Sequence, residues 1–249
     1  MAIRRFKDKK ELSEAAAEFI TTKIEEKLRS APFFSIALSG GSTPKMLHQI
    51  LASKAYSKRI DWEKIIVFFG DERFVPLDNP DNNGRMALDT LLNLVDIRRE
   101  NVHLIPTENL SPEDAALKYQ ETLKKAFPCQ KNGFPESTFD LIILGMGEDG
   151  HTLSLFPGYK EVILEDKKWC ESLWLEKQKM YRITITHPVA NHAGTILFLV
   201  SGKDKAPALK EVLTGEDDPV KYPAQIIRPL KGEIDWFVDE DAYSLLRET

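Results

Sequence analysis

His151 stands where chemistry is expected, because it follows the apolar run Phe139 to Leu144 and a glycine-rich turn, within LIILGMGEDGHTLSLFPG at 141–158. Imidazole titrates near neutral pH and can take a proton from water, which makes His151 the natural general base of a site here. Asp149 can orient it or share its proton. The competing reading makes His151 a helix-start residue and Asp149 a cap. The loop also satisfies G-x-G-x-x-G through Gly145, Gly147 and Gly150, a dinucleotide-binding fingerprint. Against that reading, Pro157 and Gly158 would end any following helix within about two turns, too short for a βαβ crossover.

Three other segments carry groups that bind or orient. Ser39, Gly40, Gly41, Ser42 and Thr43 follow the apolar run Ser35 to Leu38 and precede Pro44, a residue suited to the first turn of a helix. Free backbone amides, two hydroxyls and a helix N-terminus make an anion cradle that fits phosphate. A tight turn capped by Thr43 is the plainer reading, but two adjacent glycines and two hydroxyls exceed what capping requires. In FFGDERFVP at 68–76, Arg73 can offer a guanidinium fork, and Asp71 or Glu72 can orient a substrate or handle a proton. Equally, the three charges can be a solvated ion-pair cluster. In FLVSGKDKAPALKEVL at 198–213, Lys203 or Lys205 can meet a phosphate as a point charge, and Arg182 is a similar cation at the start of an apolar strand.

The elements that position these loops read as α/β. Ser35 to Leu38, Ile65 to Phe69, Phe139 to Leu144 and Thr195 to Val200 are short runs apolar on both faces, as in buried parallel strands. Helical patterns lie at Lys9 to Arg29, Pro44 to Leu51, Pro112 to Phe127 and Lys205 to Leu213. Alternation of the two implies βαβ units and a mostly parallel sheet covered on both faces. Ligands bind such sheets at the carboxyl ends of the strands, where all four loops fall. Trp169 to Leu175 and Tyr181 to Thr186 read as an antiparallel edge or hairpin. Gln130 to Ser137 is loop-like and short, so the expectation is one domain over residues 1–249.

Composition narrows the class. The 249 residues are 42% hydrophobic and 29% charged, which suits a chain with a sizeable core. The net charge of −5 argues against nucleic acid as a partner. The start lacks the apolar stretch of a secretory signal, and no run approaches the roughly 20 apolar residues of a membrane span. A cytoplasmic protein without membrane contact is expected. Cys129 and Cys170 are far apart and in no metal-ligand spacing, so they read as inert reduced thiols. His48, His103, His187 and His192 read as structural or surface residues. With no G-x-S-x-G, Walker A or H-E-x-x-H sequence, a hydrolase here would use water directly.

SGGSTP at 39–44, GDERFVP at 70–76, GMGEDGHTLSLFPG at 145–158 and SGKDKA at 201–206, in this order, resemble the 6-phosphogluconolactonase family, of one superfamily with the glucosamine-6-phosphate deaminases. NNGRMALDTLL at 82–92 is also similar to that family. The resemblance covers nearly the whole chain and implies a three-layer α/β domain of the deaminase-like fold. It implies hydrolysis of a sugar-phosphate lactone, with no metal or organic cofactor, by a monomer or small homo-oligomer. Residue by residue it implies a phosphate loop at Ser39 to Thr43 with Lys205 and Arg182 adding cations. It further implies His151 activating water with Asp149 close by, and Arg73 and Asp71 at the substrate. The deaminases place a glutamate in an F-N-E-P context, where this chain has Leu155-Phe156-Pro157. Phe156 cannot move a proton, so the resemblance points to the lactonase. Superfamily members also occur as sugar-phosphate-sensing regulatory domains, a non-enzymatic alternative.

Overall fold

The computed structural model describes residues 1–130 and 133–246; part of the expected loop Gln130 to Ser137 lies outside the described residues. Six strands form one parallel sheet: β1 (Ala2–Phe6), β2 (Phe34–Leu38), β3 (Ile65–Phe69), β5 (Leu141–Gly145), β8 (Thr195–Val200) and β9 (Glu233–Asp239), ordered β1-β9-β8-β5-β2-β3. A second, antiparallel sheet joins β4 (Asp71–Arg73), β7 (Met180–Ile185) and β6 (Cys170–Leu175), ordered β4-β7-β6. Helices α1 (Lys9–Leu28), α2 (Ser42–Leu51), α3 (Lys54–Ser57), α4 (Asn83–Ala87), α5 (Pro112–Ala126), α6 (Lys160–Ile163), α7 (His187–Asn191) and α8 (Ala206–Thr214) flank them.

The parallel sheet follows the physics of the apolar runs. Every residue of β2 and β8 is buried, as expected of strands covered on both faces. Register is continuous, with Ile36 opposite Leu141 and Leu141 opposite Thr195. After β2 and β3 the chain returns to lay β5 on the other side of β2, so the switch point falls between β2 and β5, where a doubly wound sheet opens a crevice at its carboxyl edge.

Three strands escape the apolar-run reading. β1 is exposed along most of its length at the sheet edge. β9 carries Asp235 and Asp239 inside the protein: Asp235 accepts from Arg4, while Asp239 accepts from Ser201 Oγ at 2.5 Å and from the Gly202 and Ala242 amides. β4 is the charged segment Asp71–Arg73, expected as a loop; it pairs antiparallel with β7 because the β6–β7 hairpin forms its own sheet and covers it. His187 begins the short helix α7 and His192 caps its end, where a loop was expected. Among the described residues no helix is long and apolar enough to cross a membrane.

Candidate active site

The loops leaving β2, β3, β5 and β8 enclose a cavity of about 220 Å³. Ser39, Gly40 and Gly41 form one wall, Asp71 and Arg73 another, and Gly145, Gly147 and His151 a third; Arg182 and Lys205 also line it. Ser42, Thr43, Asp149 and Lys203 are not part of this lining.

Backbone shape dominates the β2 end. Gly41 has φ 104° and serves as N-cap of α2, with no side chain capping the helix. Only the Lys45 amide closes back, onto the Gly41 carbonyl at 3.0 Å, so the first-turn amides stay without an intrahelical acceptor, as helix starts do. Helix α2 thus begins at Ser42, two residues before the expected Pro44, and Thr43 lies inside it. A Cβ on Gly40 would meet Asn83 Oδ1 at 1.9 Å, so the absent side chain lets Asn83 pack against the loop.

Side chains dominate the β5 end. His151 Nδ1 lies 2.6 Å from Asp149 Oδ1, which also accepts from the His151 amide at 3.1 Å. Burial alone would raise the Asp149 carboxyl, yet the hydrogen bond and charge of His151 hold it down at about 2. An ionised carboxylate only accepts, so Nδ1 carries the proton that faces Asp149. Gly147 makes room: a Cβ there would fall 2.0 Å from His151 Nδ1 and 2.6 Å from Asp149 Oδ1. Phe156, nearly buried, supports the ring from another side, with centroids 4.3 Å apart. No long helix follows Gly150, only turns and the four-residue α6, so the dinucleotide-binding arrangement is absent from this loop.

Positive charge gathers between these ends. Arg73 and Arg182 are direct register partners across β4 and β7, a like-charge pairing that is unfavourable unless opposite charge offsets it. Asp71 supplies part of that: it is buried, receives a 2.7 Å bond from Ser154 Oγ, and lies 3.9 Å from Arg182 Nη1. Arg182 also donates to Gln178 at 2.6 Å, and burial lowers its guanidinium affinity for the proton despite Asp71. The Nε of both arginines has no partner. Lys205 Nζ rests on Asp204 at 2.9 Å, in a loop fastened by the Asp239 bonds to Ser201 and Gly202.

Glu72 turns away from the cavity wall and is buried. It accepts from the amides of Arg73 at 2.8 Å, Asn83 at 2.7 Å and Gly84 at 2.8 Å, stapling β4 to the start of α4. Burial pushes its carboxyl up to about 7 in spite of those bonds. Asn83, Met146, Thr152 and Leu153 line the cavity and went unremarked as site residues, although Asn83 falls in the 82–92 stretch. Leu153 takes φ 54°, and its side chain occupies the space that a Cβ on Gly70 would need.

The other histidines stand apart from this cavity. His48 is fully buried against Thr90 Oγ1 and pushed down to about 4 by burial, His103 stacks on Phe68, and His192 Nδ1 meets the Pro188 carbonyl. Cys129 is exposed, while burial drives the Cys170 thiol far up.

Helix-start amides, cations and a His–Asp pair around one cavity, at the carboxyl edge of a doubly wound sheet, define the site of an α/β enzyme. Residues 7–236 match the family model described as glucosamine-6-phosphate isomerases/6-phosphogluconolactonase. The chain is 42% identical to 6-phosphogluconolactonase of Synechocystis sp. over 240 residues, covering 96% of each, and 38% identical to that of Nostoc sp., covering 94% of each. It superposes on 6-phosphogluconolactonase from Trypanosoma cruzi with a TM-score of 0.87 at 28% identity, over 98% of this chain and 96% of the other. A monomeric glucosamine-6-phosphate deaminase shares the fold at a TM-score of 0.83 and 21% identity, over 98% and 100%. The chain belongs to the glucosamine-6-phosphate isomerase/6-phosphogluconolactonase family.

Proposed function

We propose that this protein hydrolyses 6-phospho-D-glucono-1,5-lactone to 6-phospho-D-gluconate, the lactonase step of the oxidative pentose phosphate pathway. The observation that carries the proposal is the 2.6 Å His151–Asp149 pair in one cavity with the Ser39–Gly41 wall and Lys205. His151 Nε2 takes a proton from water as its oxygen adds to lactone C1, forming a tetrahedral oxyanion. Collapse breaks the bond from C1 to the ring oxygen, which leaves with the proton held by the imidazolium. Asp149 keeps the ring in the required tautomer, Arg73 faces the substrate, and loop amides or Arg73 stabilise the oxyanion. The loop Ser39 to Thr43, Arg182 and Lys205 hold the phosphate, which contributes by binding and orientation. A lactone is an activated ester, so a positioned base suffices and the proposed mechanism needs no metal or cofactor.

Family membership alone leaves deamination open, and Phe156 favours the lactonase. It puts an apolar ring against His151 where proton relay to an amino sugar would need a carboxylate. We further propose one domain over residues 1–249, acting in the cytoplasm as a monomer or small homo-oligomer. The test is acid release from freshly made lactone, with spontaneous opening subtracted, before and after dialysis against a chelator. Acceleration that survives dialysis and disappears in His151→Ala is expected. Folded wild-type protein that gives no acceleration would sink the proposal.

A further inference from the structure

We propose that Lys9 is a further phosphate-binding cation beside Lys205 and Arg182, brought to the anion cradle by α1 from the far edge of the sheet; this rests on the lactonase reading above. Because all six strands run parallel, the start of α1 lies at the same carboxyl edge as the start of α2, although β1 is three strands away from β5. Lys9 is the first residue of α1, and its Nζ donates to Ser42 Oγ, the first residue of α2, at 3.0 Å. Ser42 adjoins Gly41, which lines the cavity, so the ammonium stands at the rim beside the cradle.

The aim of Lys9 is built in. Asp8 caps the Glu11 amide at 2.9 Å, Glu11 reaches back to the Lys7 amide at 2.7 Å, and the Lys9 carbonyl receives Ser13 Oγ at 2.8 Å. This is close to a capping box, which fixes where the helix starts and so where Lys9 sits.

Electrostatically the placement is wrong for an empty site. A cation in the first turn opposes the helix macrodipole, and Lys9 does so at its own helix while touching the start of another. Among the described residues no carboxylate lies within ion-pair distance of it. Its charge reaches Asp204, whose carboxyl is held below its ordinary range first by the Lys205 hydrogen bond and, among lesser causes, by Lys9. Lys205 and Lys9 therefore both act on Asp204, while the carboxylates of Asp8 and Glu11 are committed to backbone amides at the start of α1. Independently, Arg182 is 5% exposed, lines the cavity and keeps Nε unpaired. A phosphate dianion resolves all of this: the α2 amides and Lys205 meet it from one side, and Lys9 from the rim.

Lys9→Met tests the proposal with 6-phosphoglucono-1,5-lactone and its unphosphorylated analogue assayed side by side. The ratio of kcat/KM for the two substrates should fall about tenfold or more, through KM, as loss of a charged hydrogen bond predicts. Inhibition by inorganic phosphate should weaken in parallel, and Lys9→Arg should restore both. A merely structural lysine would show itself in the melting temperature, which here should stay level or rise because an unfavourable helix-end charge is gone. An unchanged ratio with unchanged phosphate inhibition overturns the role of Lys9 while leaving the lactonase reading intact. If the wild type fails to hydrolyse the lactone, calorimetric titration with inorganic phosphate decides: weaker binding by Lys9→Met upholds the cation, and equal or absent binding in both proteins overturns it.

Discussion

Asp149 and Glu72 each hold a cavity residue in place, and the protein pushes them in opposite directions. Asp149 sits half-exposed beside a ring that can become a cation, and its carboxyl falls to about 2. Glu72 is buried among backbone amides with no cation in contact, and its carboxyl rises to about 7. The same chemical group thus serves two purposes according to its partner. Paired with imidazole, it sets the tautomer of the ring; paired with three amides, it joins β4 to α4 and fixes a wall.

The comparison breaks most sharply by exchanging charge for shape. Asp149→Asn should lower kcat by about 10²-fold or more, because an amide can present the wrong group to Nδ1, while the melting temperature stays near wild type. Steady-state kinetics and a thermal scan on one preparation check both halves. Glu72→Ala should do the reverse. It strands three amide donors at about 1 kcal/mol or more each, so melting should drop by roughly 6–12 °C, with the His151-dependent limb of the pH–kcat profile unmoved. If Glu72→Ala shifted that limb, the division of labour would be wrong.

Stability as a function of pH sharpens the contrast. A carboxyl raised to about 7 in the folded state binds its proton more tightly there than when unfolded. Its presence therefore makes stability fall as pH rises from about 4.5 to about 7, with no further change above. Asp149, depressed to about 2 from 3.8, contributes stability that is present above about 4 and lost as pH falls toward 2. Glu72→Gln should remove the decline between pH 4.5 and 7, read as the melting difference from wild type across that window. The smallest effect belongs to Lys205→Ala, a rise of several-fold in KM for the phosphorylated lactone at unchanged kcat, since Lys205 is partly exposed and in the proposed mechanism does not touch the reacting bond.

Legibility in the sequence followed burial and locality. Strands β2, β3, β5 and β8 were readable because both faces are apolar, and the loops behind them because glycine, proline and histidine mark local geometry. β9 was hidden by Asp235 and Asp239, whose cost is offset by partners far along the chain. β4 was hidden because three consecutive charged residues become a strand only when the β6–β7 hairpin covers them. The role of Asn83 was likewise invisible, since nothing local says that it packs into the space left by Gly40. The Arg73–Arg182 juxtaposition exists only in the register of β4 on β7. Cys129, Cys170 and the remaining histidines do not line the cavity, and nothing near them in the sequence resembles a ligand-binding turn.

The order of the main sheet has a consequence for the chain as it is made. Strand β1, residues 2–6, has β9, residues 233–239, as its one sheet neighbour among the described residues. During synthesis the earliest strand waits for a partner that emerges after more than two hundred intervening residues, and a closure of such sequence separation is slow. The Asp239 bonds that fasten the Lys205 loop arrive with that same late strand. A nascent chain can therefore have its His151 loop in place before the Lys205 loop is fastened, so the two sides of the cavity are completed at different times.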